Sequence, residues 1–302
     1  MRTAAIGIGS NSLRMLIADI RNGKMERIGR YREGLRVFAA LDQAGNITDA
    51  MIEQACTSVR AFQQEALQKG AEEISLFATS AVRDAANQSV FTRALYEATS
   101  LKLEICSGDA EASLSFWGAC DEHNCGMIDI GGGSTEIVIG DNGQIGYTAS
   151  LQMGAVRLYR IRPIETITDA EKVVDMACNI LLPVRERYLD GVQRKWIGVG
   201  GTFTAGAAVV QRVPWQNRDN IHGFVLTREA VEKTLHELAP MKLEDRLNLG
   251  FIQPQRADIV VHGVAILLAC MRSLDLKQIT VSEYGNLEGY LKQKYLFSKR
   301  FE

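Results

Sequence analysis

At 302 residues the chain is long enough for two domains, and its 46% hydrophobic and 23% charged residues are ordinary for a globular protein. The formal net charge of −2 excludes a general basic field, so DNA is not an expected partner and a polyanion must be met by local arginines, backbone amides and metal ions. The start at Met1 leads directly into a predicted strand, and the most apolar helix, near residues 259–271, is too short to span a bilayer. We therefore expect no signal peptide, no membrane partner and a cytoplasmic location.

The first half begins with three predicted strands within residues 3–33. Their turns lie at Gly9-Ser10-Asn11 and at Asn22-Gly23, and Asn-Gly between alternating apolar runs is a strong hairpin signal. A capped helix over residues 48–69 ends at Gly70. The other predicted elements of this half are a strand at 74–78, a helix at 90–99, a strand at 103–106 and a helix from 107 past 117. Strands followed by alternating strands and helices indicate an α/β layer with a mixed sheet.

The second half repeats this order. Predicted strands at 126–130, 135–139 and 144–150 precede a helix that begins at Thr168, where Thr168 and Glu171 form a predicted capping box. The later predicted elements are a strand at 196–199, helices that begin at 200, 227, 243 and 254, a strand at 278–281 and a last helix to about 296. This organisation predicts domains of residues 1–124 and 125–302, with the last helix able to pack back on the first domain.

One segment occurs twice: residues 6–17 (IGIGSNSLRMLI) align with residues 128–139 (IDIGGGSTEIVI). Each copy predicts a strand, a turn of small residues and a second strand. The three adjacent glycines of the second copy permit close approach to a ligand, and successive amides in such a turn form a concavity that holds anions. A glycine-rich hairpin without a ligand is the simpler reading of one copy. Duplication instead suggests two similar halves whose turns face each other across a cleft, as a clamp for phosphate.

Motifs along the whole chain support a family resemblance. They are Gly9–Ser12, Ala78–Ala85, Ser107–Ala112, Asp129–Glu136, Gly198–Thr202, Ile221–Gly223, Arg256–Asp258 and Ser282–Gly289. This ordered set resembles the exopolyphosphatase and guanosine-pentaphosphate phosphohydrolase (Ppx/GppA) family, in its short two-domain form, within the actin, sugar kinase and Hsp70 superfamily.

The resemblance implies an α/β fold of two ribonuclease H-like (actin-like ATPase) domains, each a mixed sheet flanked by helices, with a cleft between them. It also implies an acid anhydride hydrolase that releases the terminal phosphate of inorganic polyphosphate or of guanosine pentaphosphate (pppGpp). The choice between these two substrates stays open, as does the oligomeric state, a homodimer included.

Glu111 is the candidate catalytic residue. It lies one turn into a predicted helix whose N-terminus, residues 107–109, we expect to face the cleft. A glutamate in the first turn of a helix often only complements the helix dipole. The resemblance, however, implies that this position activates the attacking water.

Asp129 and Glu136 are the candidate metal ligands. Mg²⁺ prefers oxygen ligands and keeps several waters, so one or two carboxylates suffice for it or for another divalent cation. Such a metal would neutralise and orient phosphate oxygens. A strand residue that faces solvent is the alternative reading of Glu136.

The candidate substrate-binding residues are side chains and amides suited to phosphate. Arg83 and Arg14 offer planar forks to phosphate oxygens, although a half-solvated Arg14 is equally compatible with the pattern. Gly200-Gly201-Thr202 begins a helix and offers amides to an anion, unless its glycines only permit close packing. His222 is either a phosphate contact in its charged form or a satisfied loop histidine. The two turns add Gly9, Ser10, Asn11, Ser12, Gly131, Gly132, Gly133, Ser134 and Thr135.

Two positions depart from the family pattern. The family usually has a carboxylate at the positions of Gly7 and Ala110, so metal affinity should be weaker here. These departures motivate an alternative function, a catalytically weak module that binds (p)ppGpp or polyphosphate and regulates a partner. A sugar or acetate kinase relative is a third reading, although no distinct acceptor motif supports it.

The six cysteines are scattered and include no C-x-x-C motif. Cys120, His123 and Cys125 resemble part of a zinc site, but no fourth ligand is near in the sequence. We therefore expect reduced structural thiols.

Overall fold

The computed structural model describes residues 1–120 and 123–297. The chain divides into two compact units. The first unit contains Met1–Gly118 and the described chain from Asn286, and the second contains Ala119–Gly285. The last helix of the chain thus belongs to the first unit.

Both units alternate strands with helices. The strands are β1 Arg2–Ile8, β2 Leu13–Arg21, β3 Lys24–Glu33, β4 Glu73–Ala78, β5 Leu103–Ile105, β6 Cys125–Ile130, β7 Thr135–Asp141, β8 Gln144–Leu151, β9 Lys195–Val199, β10 Val225–Thr227 and β11 Gln278–Val281. The α-helices are α1 Asp49–Gln68, α2 Ser80–Arg83, α3 Gln88–Thr99, α4 Gly108–Ala119, α5 Ala155–Ile161, α6 Ile167–Arg185, α7 Gly201–Gln211, α8 Arg218–Ile221, α9 Arg228–Leu238, α10 Leu243–Leu247, α11 Val260–Ser273 and α12 Asn286–Lys292. Short 3₁₀ turns lie at Val37–Ala40 and Pro254–Arg256, and a π-helical turn at Gln293–Phe297 continues α12.

The sheet of the first unit has the order β3-β2-β1-β4-β5. β1, β2 and β3 are antiparallel neighbours, whereas β4 and β5 run parallel to β1. The hairpin between β2 and β3 turns at Asn22 and Gly23, which have φ of 52° and 70° and so take the left-handed conformation that such a turn requires. The predicted hairpin is therefore confirmed.

Helix α12 packs on one face of this first sheet. Its apolar side chains Leu287, Tyr290 and Leu291 join a buried cluster with Leu16 of β2 and Phe77 of β4. Burial of this size stabilises by about 1.5–3 kcal/mol per large apolar side chain. The cluster therefore fixes α12 against β2, which determines what the polar residues of α12 can reach.

The sheet of the second unit has the order β10-β11-β9-β6-β7-β8. β6, β9 and β11 are parallel, and the other neighbours are antiparallel. Helix α11 is buried from Val260 through Met271, which explains its apolar composition as a core helix of this unit. The carboxyl ends of β6 and β9 lead into the turn at residues 131–134 and into α7.

Several predicted boundaries differ from the structure. The cap of α6 is Thr166, whose hydroxyl accepts a hydrogen bond from the amide of Asp169, so the capping box predicted at Thr168 and Glu171 is wrong. The helix expected from Pro254 is a 3₁₀ turn, and α11 begins at Val260. Helices α2, α5 and α8 and strand β10 are not among the predicted elements.

The cysteines also differ from the expectation of reduced thiols. Cys120 and Cys125 form a disulfide, whereas Cys56, Cys106, Cys178 and Cys270 are free. Among the described residues, no helix has the length and apolar character needed to cross a membrane. A cytoplasmic location stays a prediction.

Candidate functional site

The turn between β1 and β2, residues 9–12, closes with a hydrogen bond from the Gly9 amide to the Ser12 carbonyl at 3.0 Å. The carbonyls of Ser10 and Asn11 accept from the amides of Phe38 and Arg36 at 3.0 and 3.2 Å. The neighbouring 3₁₀ turn therefore binds the carbonyl side of this turn. That arrangement turns the acceptors, which would repel an anion, toward the 3₁₀ turn.

The side chains of this first turn are buried. Ser10, Asn11 and Ser12 are 5–6% exposed, and the Ser10 hydroxyl shares a hydrogen bond with that of Ser80 at 2.8 Å. The Asn11 side-chain oxygen has no hydrogen-bond partner among the residues that the structure describes. A buried acceptor without a partner costs about 1–3 kcal/mol, so this position suits a water, a metal-bound water or a ligand donor.

The turn between β6 and β7, residues 131–134, has the same closure. The Gly131 amide donates to the Ser134 carbonyl at 3.0 Å. The carbonyls of Gly131 and Gly132 accept from the first amides of α5, at 2.9–3.0 Å, and the Arg157 Nε donates to the Gly133 carbonyl at 2.7 Å. Helix α5 thus binds the carbonyl side of the second turn.

Helix α5 approaches this closely because Gly154 precedes it. A Cβ added at Gly154 would lie 2.3 Å from the Gly132 carbonyl oxygen, so another residue would push the turn aside. Ser134 and Thr135 are buried at this point, and the Thr135 hydroxyl donates to the Met153 carbonyl. The Thr135 side chain therefore supports the turn from within.

Asp129 and Glu136 lie directly opposite each other across β6 and β7. Their residues are 8% and 1% exposed, and Glu136 Oε1 accepts from the Ser150 hydroxyl at 2.8 Å. Opposed Cβ atoms in such a pair are about 5 Å apart, and like charges there repel unless a cation lies between them. The pair therefore fits Mg²⁺, which needs one or two carboxylates and completes its shell with water or phosphate oxygens.

No cluster of three or more potential His, Cys, Asp or Glu metal ligands occurs in the part of the chain that the structure describes. The metal site at Asp129 and Glu136 therefore stays a prediction that rests on two carboxylates alone.

Gly200, Gly201 and Thr202 begin α7 beside this carboxylate pair. A Cβ added at Gly200 would lie 2.6 Å from Asp129 Oδ1, and the φ of 94° at Gly200 also favours glycine. A Cβ at Gly201 would overlap the guanidinium of Arg256, at 1.9 Å from its Cζ. Because both positions are glycines, the Asp129 carboxylate and the Arg256 guanidinium can lie close to the start of α7. Both groups affect whether an anion can bind there.

Arg256 is a site residue that the sequence reasoning did not single out. Its guanidinium covers the start of α7, and it lines a small pocket with Ala155, Thr202 and Val260. Its position in the Arg256–Asp258 motif was the available signal. The motif alone gave no reason to place it at the amide end of α7.

Glu111 lies in the first turn of α4 in the first unit and is 7% exposed. Arg83 Nη1 donates to Glu111 Oε2 at 3.2 Å and to the Cys106 carbonyl at 2.9 Å. Arg83 therefore holds the Glu111 carboxylate in a fixed orientation. Burial, with the nearby Glu111 and Glu104 carboxylates, raises the pKa of the Cys106 thiol to about 12, so this thiol stays neutral at physiological pH.

Arg83 also keeps a donor for another anion. Its Nη2 is buried without a hydrogen-bond partner within residues 1–120 and 123–297. An arginine can bind two anions through different edges of its planar fork. The candidate phosphate clamp is thus joined to the candidate base.

Arg14 faces Gly7 across β1 and β2, directly after the first turn. Its Nη2 donates to the Asn286 side-chain oxygen at 3.1 Å, and its Nε is buried without an acceptor in the described chain. Arg14 is therefore held by a neutral partner and can still donate to an anion.

His222 follows α8 in the second unit. Its Nδ1 accepts a hydrogen bond from the Glu283 amide at 3.2 Å, and its ring packs on Tyr284 with centroids 4.5 Å apart. These contacts are those of a satisfied loop histidine, which was one of its two readings. Its role as a phosphate contact stays a prediction.

The departure at Gly7 has a steric reason. A Cβ at Gly7 would lie 2.9 Å from Cζ of Phe77, which is fully buried and stacks on Tyr290 with centroids 4.8 Å apart. An aspartate at this position would have to displace that stacked pair. Ala110, the other departure, lies exposed on α4.

Comparison with known proteins places this geometry in a family. A sequence model of the Ppx/GppA phosphatase family matches residues 16–296, and the chain therefore belongs to that family. Exopolyphosphatase 2 of Mycobacterium tuberculosis is 29% identical over 313 residues, which cover 95% of this chain and 97% of that protein. A guanosine-5'-triphosphate,3'-diphosphate pyrophosphatase of Photobacterium profundum is 24% identical over 296 residues, which cover 95% of this chain and 58% of that longer protein.

A solved structure, the PPX-GPPA enzyme of Aquifex aeolicus, has a TM-score of 0.83 and 24% identity to this chain, with 97% and 99% of the two chains covered. The predicted family is confirmed. The predicted α/β fold of two mixed sheets flanked by helices is confirmed as well.

The structure brings the predicted site residues other than His222 into two groups, one in each unit. The first group joins the turn at residues 9–12 with Arg14, Arg83 and Glu111. The second joins the turn at residues 131–135 with Asp129, Glu136 and residues 200–202. Their roles in binding and catalysis are proposals.

Proposed function

We propose that this chain is a metal-assisted phosphohydrolase that releases the terminal phosphate of inorganic polyphosphate or of pppGpp. Membership of the Ppx/GppA family and relatives named for both substrates support this class of reaction. The names of the relatives do not choose between the two substrates.

The observation that most supports the proposal is the carboxylate pair Asp129 and Glu136 beside the second turn. Two buried carboxylates that face each other across a ladder favour a cation between them. The adjacent turn has its carbonyls bound by α5, so its amide side is available to an anion. A divalent metal and a phosphate are the partners that fit these two features together.

In this proposal Glu111 orients and deprotonates the attacking water. Arg83 holds the Glu111 carboxylate through Nη1 and can donate through Nη2 to the phosphoryl group. The small-residue turns and the amide end of α7 hold the phosphate oxygens. Mg²⁺ held by Asp129 and Glu136 would supply charge neutralisation for the transferred group.

Glu111→Gln tests the role of the base. It keeps the volume and the contact with Arg83, and we expect phosphate release to fall about a hundredfold with little change in KM, which is the scale for a general base. Asp109→Asn, on the exposed side of the same helix, is the matched control. Unchanged release in the Glu111 variant would remove Glu111 from this role.

The function assay should compare long-chain polyphosphate with pppGpp while Mg²⁺ is titrated. Orthophosphate release that requires the metal supports the hydrolase. Release from neither substrate at any metal concentration would contradict it.

A second candidate function is a binding module without efficient turnover. The packing of Phe77 against Gly7 favours it, because this packing excludes the carboxylate that the family usually has there. Calorimetry with (p)ppGpp and with polyphosphate, next to the release assay, separates the two candidates. Tight binding without turnover would favour the module.

A further inference from the structure

Asn286 is the first residue of α12, and it contacts one of the candidate phosphate-binding residues. Its side-chain oxygen accepts a hydrogen bond from Arg14 Nη2 at 3.1 Å, across 272 positions of the sequence. A guanidinium can only donate, so this contact also determines which atom of the Asn286 amide faces Arg14. Asn286 is buried, and the sequence reasoning did not single it out.

The packing of α12 fixes the position of Asn286. Leu287, the next residue, is buried in the cluster with Leu16 of β2. Later in the helix, a Cβ added at Gly289 would lie 1.7 Å from the Leu114 carbonyl oxygen of α4, so the two helices are in close contact there. Asn286 therefore presents its oxygen from a rigid element, as accurate orientation of a binding residue requires.

Arg14 depends on this contact for its orientation. Within residues 1–120 and 123–297, its side chain forms no ion pair, and its hydrogen bond to Asn286 is the one that it makes. Its Nε is buried and has no acceptor there. An arginine side chain is long and flexible, so a ligand that had to order it would bind more weakly. Asn286 orders Arg14 in advance.

The partner of Arg14 is neutral, although α12 also carries a carboxylate that binds arginines. Two residues further along the helix, Glu288 Oε1 lies 3.4 Å from Arg27 Nε and 3.2 Å from Arg30 Nη2. A carboxylate offsets the charge of the guanidinium groups beside it. An amide oxygen holds a guanidinium without a charge of its own, so Arg14 keeps its full charge for an anion.

A hydrogen bond that only fastens β2 to α12 is the simpler explanation of the contact. It accounts for an acceptor next to Arg14, but it gives no reason for a neutral one, since a carboxylate would bind the guanidinium more strongly. The amide stands where a carboxylate would fasten the two elements better, and Arg14 directly follows the first turn. This combination favours a role in anion binding.

We propose that Asn286 is a positioning residue, which holds the Arg14 guanidinium in the orientation that binds a phosphoryl group and leaves its charge available. This inference rests on the proposed function in that it takes Arg14 as a phosphate-binding residue. It adds a residue of α12 to the first group of candidate site residues, and it is the same for either proposed substrate.

The test measures the affinity for inorganic tripolyphosphate and the melting temperature of the same variants, without added metal, so that no turnover is needed. Asn286→Asp keeps the size of the side chain and adds a carboxylate next to Arg14. We expect the new ion pair to raise the melting temperature by about 2 °C and, because it offsets the charge of Arg14, to lower the affinity about tenfold. A contact that is only structural predicts the same rise in melting temperature with an unchanged affinity.

Asn286→Ala removes the acceptor without adding a charge, and we expect it to weaken tripolyphosphate binding about fivefold. In an Arg14→Gln background the same change should have no further effect, because a residue that acts only through Arg14 then has nothing to position. Equal losses in both backgrounds would overturn the inference, since Asn286 would act independently of Arg14. An unchanged affinity in Asn286→Ala would overturn it as well.

Asn22→Asp is the matched control, because it makes the same substitution in the exposed turn at the far end of β2. Asparagine and aspartate both tolerate the φ of 52° at this position, so the control keeps the turn. We expect no change in tripolyphosphate affinity. A tenfold loss in the control would show that any added negative charge on this unit weakens binding, and would overturn the inference from Asn286→Asp.

The outcomes distinguish this inference from the function on which it rests. Tripolyphosphate binding that depends on Asn286 through Arg14, in a protein that releases no phosphate, supports the positioning role and contradicts the hydrolase. In an active protein we expect Asn286→Ala to raise KM about fivefold with little change in kcat, as loss of uniform binding does. Phosphate release with an unchanged KM and an unchanged affinity in Asn286→Ala overturns the positioning role and leaves the hydrolase supported.

Discussion

The two small-residue turns close with the same backbone hydrogen bond, but the side chains at their bases have opposite charge. Gly9 donates to Ser12 and Gly131 donates to Ser134, both at 3.0 Å, and in each turn a following helical segment binds the carbonyls. At the base of the first turn, Gly7 faces Arg14 across the ladder. At the base of the second turn, Asp129 faces Glu136.

This difference indicates a division of labour between duplicated turns. The first turn offers a cation and can meet phosphate directly. The second offers two carboxylates, and in the proposed function it needs a metal before it can bind phosphate. A pair of turns that both carried carboxylates would repel a polyanion unless each was fully metallated, so the asymmetry is compatible with the proposed polyphosphate or pppGpp substrate.

The largest effect is expected for the second turn, here called the acidic turn because Asp129 and Glu136 lie at its base. Asp129→Asn with Glu136→Gln removes both predicted ligands, and we expect phosphate release to fall about a hundredfold or more, because metal stabilisation of the transferred group is worth several kcal/mol. Calorimetric titration with Mg²⁺ should show loss of the binding heat at the same time. Asp175→Asn, exposed on α6, is the control.

A double variant that keeps both activity and Mg²⁺ binding would contradict the division of labour. In that case the second turn would not be the metal-binding one. The Asn11 side chain, buried with its oxygen unpaired in the described chain, would become the next candidate for a metal-bound water.

Gly154→Ala disturbs the support of the second turn without touching a charge. Its Cβ would overlap the Gly132 carbonyl, so the turn must shift, and we expect about a tenfold loss in phosphate affinity with a loss of about 1–3 kcal/mol in the free energy of unfolding. Gly146→Ala, where the added Cβ meets its nearest neighbour at an ordinary 3.5 Å, is the matched control. Equal affinities in the two variants would show that α5 does not position the turn.

Gly7→Asp attempts to make the first turn like the second. We expect no gain in Mg²⁺ binding and a cost of about 1–3 kcal/mol in urea unfolding, because the Cβ meets the stacked Phe77 ring. Gly7→Ala separates the steric cost from the charge. A stable Gly7→Asp protein with tighter Mg²⁺ binding would mean that the missing carboxylate, and not packing, distinguishes the two turns.

The duplicated pattern in the sequence predicts both turns and the strands around them, because alternating apolar residues and Asn-Gly or glycine-rich turns are local signals. The register Asp129–Glu136 follows from the length of the turn. Local signals are therefore sufficient to locate the acidic pair.

Other features depend on contacts that the local sequence does not contain. Helix α5 has only seven residues, with β-branched and aromatic ones among them, and it forms because its amides bind the second turn. The Arg83–Glu111 pair joins residues 28 positions apart. The Arg256 guanidinium lies against Gly201 at the start of α7. These two residues are 55 positions apart in the sequence, and only tertiary packing brings them together.

The smallest effect at neutral pH is expected for substitution of His262. When pH is used to probe the acidic turn, the pH dependence that His262 contributes to stability must be distinguished from any effect of that turn. His262 is buried, its Nε2–H donates to the Arg162 carbonyl, and its Nδ1 has no hydrogen-bond partner in the described chain. Burial lowers its pKa to about 4, from an ordinary value of about 6.5. Between these two pH values the unfolded chain therefore binds a proton that the folded chain does not bind, and stability falls as the pH drops through this window.

From pH 7.5 to pH 5 we expect a loss of about 2 kcal/mol in the free energy of unfolding by urea, which His262→Gln should remove and the exposed His236→Gln should not. If the loss persists in His262→Gln, the acid sensitivity belongs to other groups, and the carboxylates of the second turn become the first to examine.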